Sequence, residues 1–341
     1  MSTPEETSPP AELSIKRPPL RFNETQTILN ALGEHLEGDL ITYWNNPRGT
    51  VCHSDVIALY HLLSAHGGGK RVNIFIKSDG GNGQASLRMV SLLREYYEHV
   101  VALVPLECAS AATMLALGAD EIHMGPMAYL TSVDTSLTHD LSPIDRDNDR
   151  VSVSLDELKR VIHLWQAQKD NESSNPYKSL FNYVHPLVIG AVDRAESLSM
   201  MLCEQILSYH CQDESQIKQI ASALNSAYPS HSYPILKKEA RRVGLNIVDM
   251  DNKVLNLLLE LHQLYSDMGR KCTTDFDEIR SHTNEIVNIW ESTGRMVFYE
   301  IDKDWFYREE ERRWITMNDN GGWRKMSIRD GELVKEEMPL A

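Results

Sequence analysis

Between Asp39 and Met124 the chain alternates short β-branched runs with helical stretches, and this alternation limits its possible folds more than any other feature. The run LITYW (40–44) reads as a strand that stops at the turn signal Asn45-Asn46-Pro47-Arg48-Gly49. HSDVIALYHLLSAHG follows as an amphipathic helix, with Val56, Leu59, Leu62 and Leu63 on one side and Gly67 to Gly69 closing it. VNIFI (72–76) is the next strand, 84–98 the next helix and VVALVP (100–105) a third strand. SAATMLALG (110–118) is a helix of small residues, followed by strands EIHM and AYLTSV. This order calls for right-handed β-α units and an α/β fold with a largely parallel sheet, buried on both faces.

Past Val133 the pattern loosens. Residues 135–152 are polar and turn-rich. A helix is expected over 155–169, with Leu158, Val161, Ile162 and Trp165 facing a core. Long helical stretches follow at 183–212 and 213–227, a short helix at 234–245, and a heptad-like helix from 251. The segments MVFYEI and RRWITM, with Gly321-Gly322 as a turn, predict a small antiparallel appendage at the C-terminus. Residues 1–23 open with a Pro-, Ser-, Thr- and Glu-rich stretch too poor in apolar side chains to offset the entropy of ordering, and are expected to be a flexible tail. The expected division is therefore 1–23 tail, 24–250 principal domain and 251–341 helix with a β-hairpin appendage.

Charge narrows the partners. Acidic residues number 49 against 34 Lys and Arg, a formal net charge of −15, which argues against a nucleic-acid binder and against docking on anionic lipid. The most apolar stretch, Val100 to Ala119, holds Pro105, Glu107 and Ser110, as expected of a buried strand–helix unit and not of a membrane span. The N-terminus lacks a signal-peptide pattern, and Cys52, Cys108, Cys203, Cys211 and Cys272 form no CxxC pair. A reduced cytoplasmic setting, without a metal or other cofactor, is the expectation.

Two segments carry the chemistry. Ser78-Asp79-Gly80-Gly81-Asn82-Gly83 leaves one buried strand and enters a helix, and Glu107-Cys108-Ala109-Ser110-Ala111-Ala112-Thr113 does the same one β-α unit later. A serine at a strand-to-helix junction projects from a sharp turn beside free N–H groups and the positive end of the helix dipole. Two glycines after the neighbouring strand let a second N–H reach the same point with no side chain in the way. Each segment alone has a simpler explanation: turn glycines are usually only turns, and a serine at a helix start is more often an N-cap than a nucleophile. The glycine run also lacks the G-x-x-x-x-G-K-[ST] spacing of a phosphate loop. Their pairing is what suggests an oxyanion site.

The order strand, S-x-G-G, helix, strand, A-S-A-x-T, small-residue helix, A-D-E-I, G-P resembles the Clp-type serine peptidases, with repeated β-β-α units as in the Clp and crotonase folds. Within that group it is most similar to the serine dehydrogenase proteinase family, which typically has a T-P-G-G loop and an S-A-G-T nucleophile turn. The tracts ALGADEIHMGP (116–126) and SHSYPILKKEARRVGL (230–245) fit the same family, and the likeness spans about residues 38–250. It implies Ser110 as nucleophile, with N–H groups of Gly80 or Gly81 and of Ala111 forming the oxyanion hole. The sequence departs from the pattern at Asp79 in place of proline, at Ala112 in place of glycine, and at Thr131-Ser132 in place of G-P.

A free serine needs an activating base. Clp peptidases place a histidine about 25 residues after the serine; here that neighbourhood holds Asp134, while the usual place of the acid holds His231. A swapped arrangement, His231 as base and Asp134 as its orienter, satisfies triad logic. Lys159, 49 residues after Ser110, is the second candidate, by likeness to signal peptide peptidase A. It would need desolvation to act near neutrality, and in its DELKR context a solvated lysine is the simpler expectation. His139 is a third candidate, whereas His123, on a strand, and Cys108, with no basic neighbour, are expected to be structural.

The leading expectation is a serine peptidase acting on peptides or unfolded proteins through a Ser110 ester. The resemblance adds a homo-oligomer and, since no Walker A motif is present, a separate ATPase partner for any unfolding step. Two other classes fit the same residues: a crotonase-like acyl-CoA enzyme using the same oxyanion hole, and a scaffold without turnover, for which Asp79 beside the proposed hole speaks.

Overall fold

The computed structural model describes residues 14–134, 136–137, 139–144, 151, 153–166, 178, 180–329 and 331–339. The expected tail before residue 14 and much of the 135–152 stretch lie outside them.

The first half builds the parallel part of a sheet. Helix α1 (Phe22–Gly33) precedes β1 (Asp39–Asn45), then α2 (His53–His66), β2 (Gly69–Lys77), α3 (Gly83–Tyr96), β3 (Tyr97–Val104), β4 (Glu107–Cys108), α4 (Ala111–Leu117), β5 (Glu121–Met124) and β6 (Tyr129–Leu130). Strands β1, β2, β3 and β5 pair in parallel in chain order, and β9 (Ile247–Asp249) adds to β5, also in parallel. After each of the first three of these strands a short extended segment makes a second, smaller layer. Val51 bridges Gly81, Ser78 bridges Cys108, and β4 pairs with β6. Leu130 then bridges Ile235. This second layer brings the Gly80-Gly81 turn and the Ser110 turn side by side.

Alternation along the strands sorts the core into two. Ile41, Tyr43, Ile74, Ile76, Ala102 and Val104 point to one face, under α2, α3 and α4. Leu40, Trp44, Phe75, Val101 and Leu103 point to the other, under α1 and α9 (Asn252–Met268). The helix ends follow from sequence. Asn82 caps α3 by accepting the Ala85 N–H, Asp251 caps α9 by accepting from Lys253 and Val254, and Gly67 closes α2 at φ 80°.

The C-terminal strands depart from expectation. In place of a small hairpin there are six: β10 (Cys272–Asp275), β11 (Arg280–Ser292), β12 (Arg295–Arg308), β13 (Arg313–Asp319), β14 (Gly322–Arg329) and β15 (Glu332–Glu337). Antiparallel pairing of β11 with β1 makes them one sheet with the parallel strands, so the sheet is mixed and not largely parallel. The reason is chemical. Strand β11 is buried on both faces yet carries Asn284, Glu285, Asn288 and Glu291, each of which finds buried partners, so no apolar alternation announces it. Asn288 and Trp290 reach the buried carboxylate of Asp55 in α2 at 3.1 and 2.9 Å, and Tyr43 reaches it at 3.0 Å.

Past the second layer lie β7 (Ser136–Leu137), β8 (Val153–Ser154), α5 (Leu155–Gln166), α6 (Pro186–Leu207), α7 (Glu214–Ser226) and α8 (Lys237–Val243). Of the residues expected to face a core on α5, Leu158 is buried, but Val161 is half exposed. Among the described residues no helix is long and apolar enough to cross a membrane.

Candidate active site

Ser110 sits between β4 and α4 with φ 51° and ψ −119°, a conformation rare for a residue with a side chain. The chain turns sharply there because Ala109 is held to strand β2's end (Ala109 N–H to Ser78 C=O, 2.9 Å) while the next residues begin α4. The Ser110 N–H donates to Thr131 Oγ1 at 2.8 Å. Small residues let α4 start against the sheet, and Ser86 from α3 donates to the Ala111 carbonyl at 2.6 Å.

The glycine turn packs onto this junction. Gly80 has φ 104°, and a Cβ there would lie 2.6 Å from Ser110 Cβ and 2.7 Å from the Ala109 carbonyl oxygen. Only glycine allows that approach. The Gly80 N–H donates to Ser78 Oγ at 3.1 Å. Among the described residues nothing accepts from the Gly81 or Ala111 N–H, so of the two glycines it is Gly81 whose amide is available. Behind the turns, buried Lys77 pairs with the partly buried Glu107 at 2.9 Å, three residues before Gly80 and Ser110 respectively.

A cavity of about 310 Å³ opens at this point, lined by Gly81, Ser110, Ala111, Asp134 and His231, with Met114, Leu198 and Leu202 as its apolar wall. His231 Nδ1 lies 2.9 Å from Asp134 Oδ1. Half-burial alone would raise the Asp134 carboxyl, but hydrogen bonds from His231 and Ser132 outweigh it and hold it below the usual carboxylate range. The hydrogen bond to Asp134 raises the His231 imidazole above its ordinary value, against the opposing pull of burial. With Nδ1 engaged, Nε2 is the nitrogen left to exchange a proton.

The structure therefore brings together Ser110, His231, Asp134, Gly81 and Ala111 and keeps Gly80 beneath them. Lys159 lies outside the lining, paired through Nζ with Glu196 at 3.0 Å and mostly solvated. His139 is also outside, its Nδ1 accepting the Leu141 N–H within its own loop, and His123 pairs with Glu121. Asp79 is exposed and does not line the cavity. Burial pushes the Cys108 thiol well up, which suits a packing residue. Among the described residues no cluster of His, Cys, Asp and Glu is placed to hold a metal. Sequence reasoning missed the cavity wall from α6 and the hydroxyls of Thr131 and Ser132; the wall residues have the signature of any buried helix face.

No protein-family model matches the chain. An uncharacterized protein of Methanocaldococcus jannaschii is 24% identical over 212 residues, which takes in 59% of this chain and 61% of the relative. The match thus spans about three fifths of the relative's length. Solved structures with a likeness include a serine-to-alanine variant of the 1510-N membrane-bound stomatin-specific protease (13% identity, TM-score 0.40, 69% of this chain and 88% of that one). A lysine-to-alanine variant of the same protease, in complex with a substrate peptide, gives 15% identity and a TM-score of 0.39 over 70% and 84% of the two chains. A variant of ClpP1 from Listeria monocytogenes gives 12% and 0.34 over 69% and 99%. These likenesses are too loose to bear on activity.

Proposed function

We propose that the chain is a serine peptidase of Clp-type β-β-α architecture that cleaves peptides or unfolded segments, with Ser110 as nucleophile, His231 as general base and Asp134 as its orienter. One observation carries this reading: a serine in a strained turn at a helix N-terminus shares one cavity with a His231–Asp134 pair 2.9 Å apart. His231 Nε2 takes the Ser110 proton as Oγ bonds to the scissile carbonyl carbon. The oxyanion is met by the Gly81 and Ala111 N–H groups. The C–N bond then breaks, His231 protonates the departing amine, and water hydrolyses the Ser110 ester by the reverse proton path. Met114, Leu198 and Leu202 favour an apolar side chain beside the scissile bond.

Self-association belongs to the same proposal. Val161, Leu164 and Leu187 leave large apolar side chains 49, 69 and 62% exposed on α5 and α6. Light scattering of wild type against Leu164→Glu tests this, and an unchanged mass would exclude that face. Any energy-driven unfolding falls to a separate ATPase. Activity is tested by digesting a reduced, alkylated protein with wild type and Ser110→Ala and reading product masses. Fragments from wild type alone support the peptidase; no fragments, or equal fragments from both, refute it.

A further inference from the structure

Two neighbouring hydroxyls, those of Thr131 and Ser132, reach opposite ends of the site. Thr131 Oγ1 accepts the Ser110 N–H at 2.8 Å and donates to the Ser132 carbonyl at 3.1 Å. Ser132 Oγ lies 2.5 Å from Asp134 Oδ1, the same oxygen that His231 Nδ1 meets at 2.9 Å. Both residues are buried, at 2 and 1% exposure. The Thr131 backbone is itself fixed, its N–H donating to Thr113 Oγ1 at 3.2 Å, whose hydroxyl donates to the Cys108 carbonyl at 2.7 Å. Two sets of hydrogen bonds, joined through the covalent frame of Ser132, therefore tie the Ser110 amide at one end and the carboxylate facing His231 at the other to the same pair of residues.

We propose that Thr131 and Ser132 are positioning residues for this site, Thr131 holding the nucleophile's strained turn and Ser132 setting both the place and the charge of Asp134. The proposal rests on the triad reading of Ser110, His231 and Asp134. A strained backbone persists only where its surroundings over-determine it, and Thr131 supplies the one side-chain acceptor that the Ser110 amide has among the described residues. Ser132 carries one hydroxyl proton. The carbonyls of His231 and Ser230 lie farther off, at 3.3 and 3.5 Å, so the proton goes to the carboxylate. That bond shares the carboxylate's charge with the one from His231. Removing it leaves more of the charge to the imidazole, whose proton affinity then rises.

The test measures the rate at which a fluorophosphonate probe acylates Ser110, from pH 5 to 9, in wild type, Thr131→Val, Thr131→Ser, Ser132→Ala and Asp134→Asn. Thr131→Val keeps the shape and removes the acceptor, and should slow labelling by roughly 10–100-fold, the range a displacement approaching 1 Å produces. Thr131→Ser should restore it to within about threefold, since it restores the hydroxyl. Ser132→Ala should move the acid limb up by roughly half a pH unit, whereas Asp134→Asn should move it down. A purely structural role lowers melting temperature and moves neither limb. Labelling of Thr131→Val at the wild-type rate, or an unmoved limb in Ser132→Ala, overturns the proposal while leaving the triad standing. Should Thr131→Val fail to fold, Thr131→Ala takes its place with the same expected slowing, and the limb shift of Ser132→Ala decides the Ser132 half. An unlabelled wild type overturns the triad and the proposal with it.

Discussion

Replacing Gly80 by alanine separates the position of the nucleophile from the stability of the fold. The new Cβ would stand 2.6 Å from Ser110 Cβ, 2.7 Å from the Ala109 carbonyl oxygen and 3.0 Å from the Ala111 nitrogen, at φ 104°. Relief to an ordinary 3.4 Å contact moves Ser110 or the glycine turn by about 0.8 Å. The backbone conformation costs about 1–3 kcal/mol in a residue with a side chain, and overpacking about 1–3 kcal/mol more. A displacement near 1 Å at a nucleophile costs about 100-fold in rate. Gly67 supplies the control, because it has φ 80° and nothing within 4 Å of an added Cβ. Gly67→Ala should therefore lose about 1 kcal/mol or more of stability from strain alone and keep full reactivity. Both variants are followed by urea unfolding and by fluorophosphonate labelling at saturating folded fraction. If folded Gly80→Ala labels as fast as Gly67→Ala, the close packing of the glycine turn on Ser110 is not what sets its reactivity.

Three further outcomes follow from the charges. Because Asp134 raises His231, and a base works only when neutral, activity should climb with pH through a midpoint above the ordinary histidine value; a midpoint at or below it contradicts the pairing. Glu291 is fully buried and burial raises its carboxyl to about 7, against the hydrogen bonds it accepts from Thr25, Tyr265 and Gln26. Its protonated form is favoured in the folded state, so stability is lost as pH rises from the unfolded value of 4.5 through about 7. Relative to Glu291→Gln, urea unfolding of the wild type should therefore lose about 2–3 kcal/mol between pH 5 and 8.5, and a flat difference would refute the burial argument. Lys77→Met leaves the partly exposed Glu107 without its cation and should cost about 1–3 kcal/mol in urea unfolding, with slower Ser110 labelling; unchanged stability would show the pair to be dispensable.

The parallel half of the fold is legible in the chain because β-branched runs and glycine turns recur at the spacing of β-α units. β1, α2, β2, α3, β3, α4 and β5 lie where the periodicity puts them. The antiparallel half is not, since Asn284, Glu285, Asn288 and Glu291 on β11 look solvent-facing until Asn46, Asp55, Gln26 and Asp302 are known to meet them. In the site, the pairing of the Ser110 turn with the Gly80-Gly81 turn is legible, but which glycine offers its amide is not, since it depends on Ser78 Oγ accepting the Gly80 N–H. The meeting of His231 with Asp134, 97 positions apart, depends on the bridge between Leu130 and Ile235, which no local pattern encodes. Lys159 fits a spacing but not a place: its helix packs so that Nζ meets Glu196 at the surface.

The most direct test of the central claim is intact mass after exposure to a fluorophosphonate, comparing wild type with Ser110→Ala, His231→Ala and Lys159→Ala, each checked for folding. The structure leads to one adduct in the wild type, none in Ser110→Ala, strongly slowed labelling in His231→Ala and wild-type labelling in Lys159→Ala. An unlabelled but folded wild type, or an adduct that survives Ser110→Ala, would contradict it.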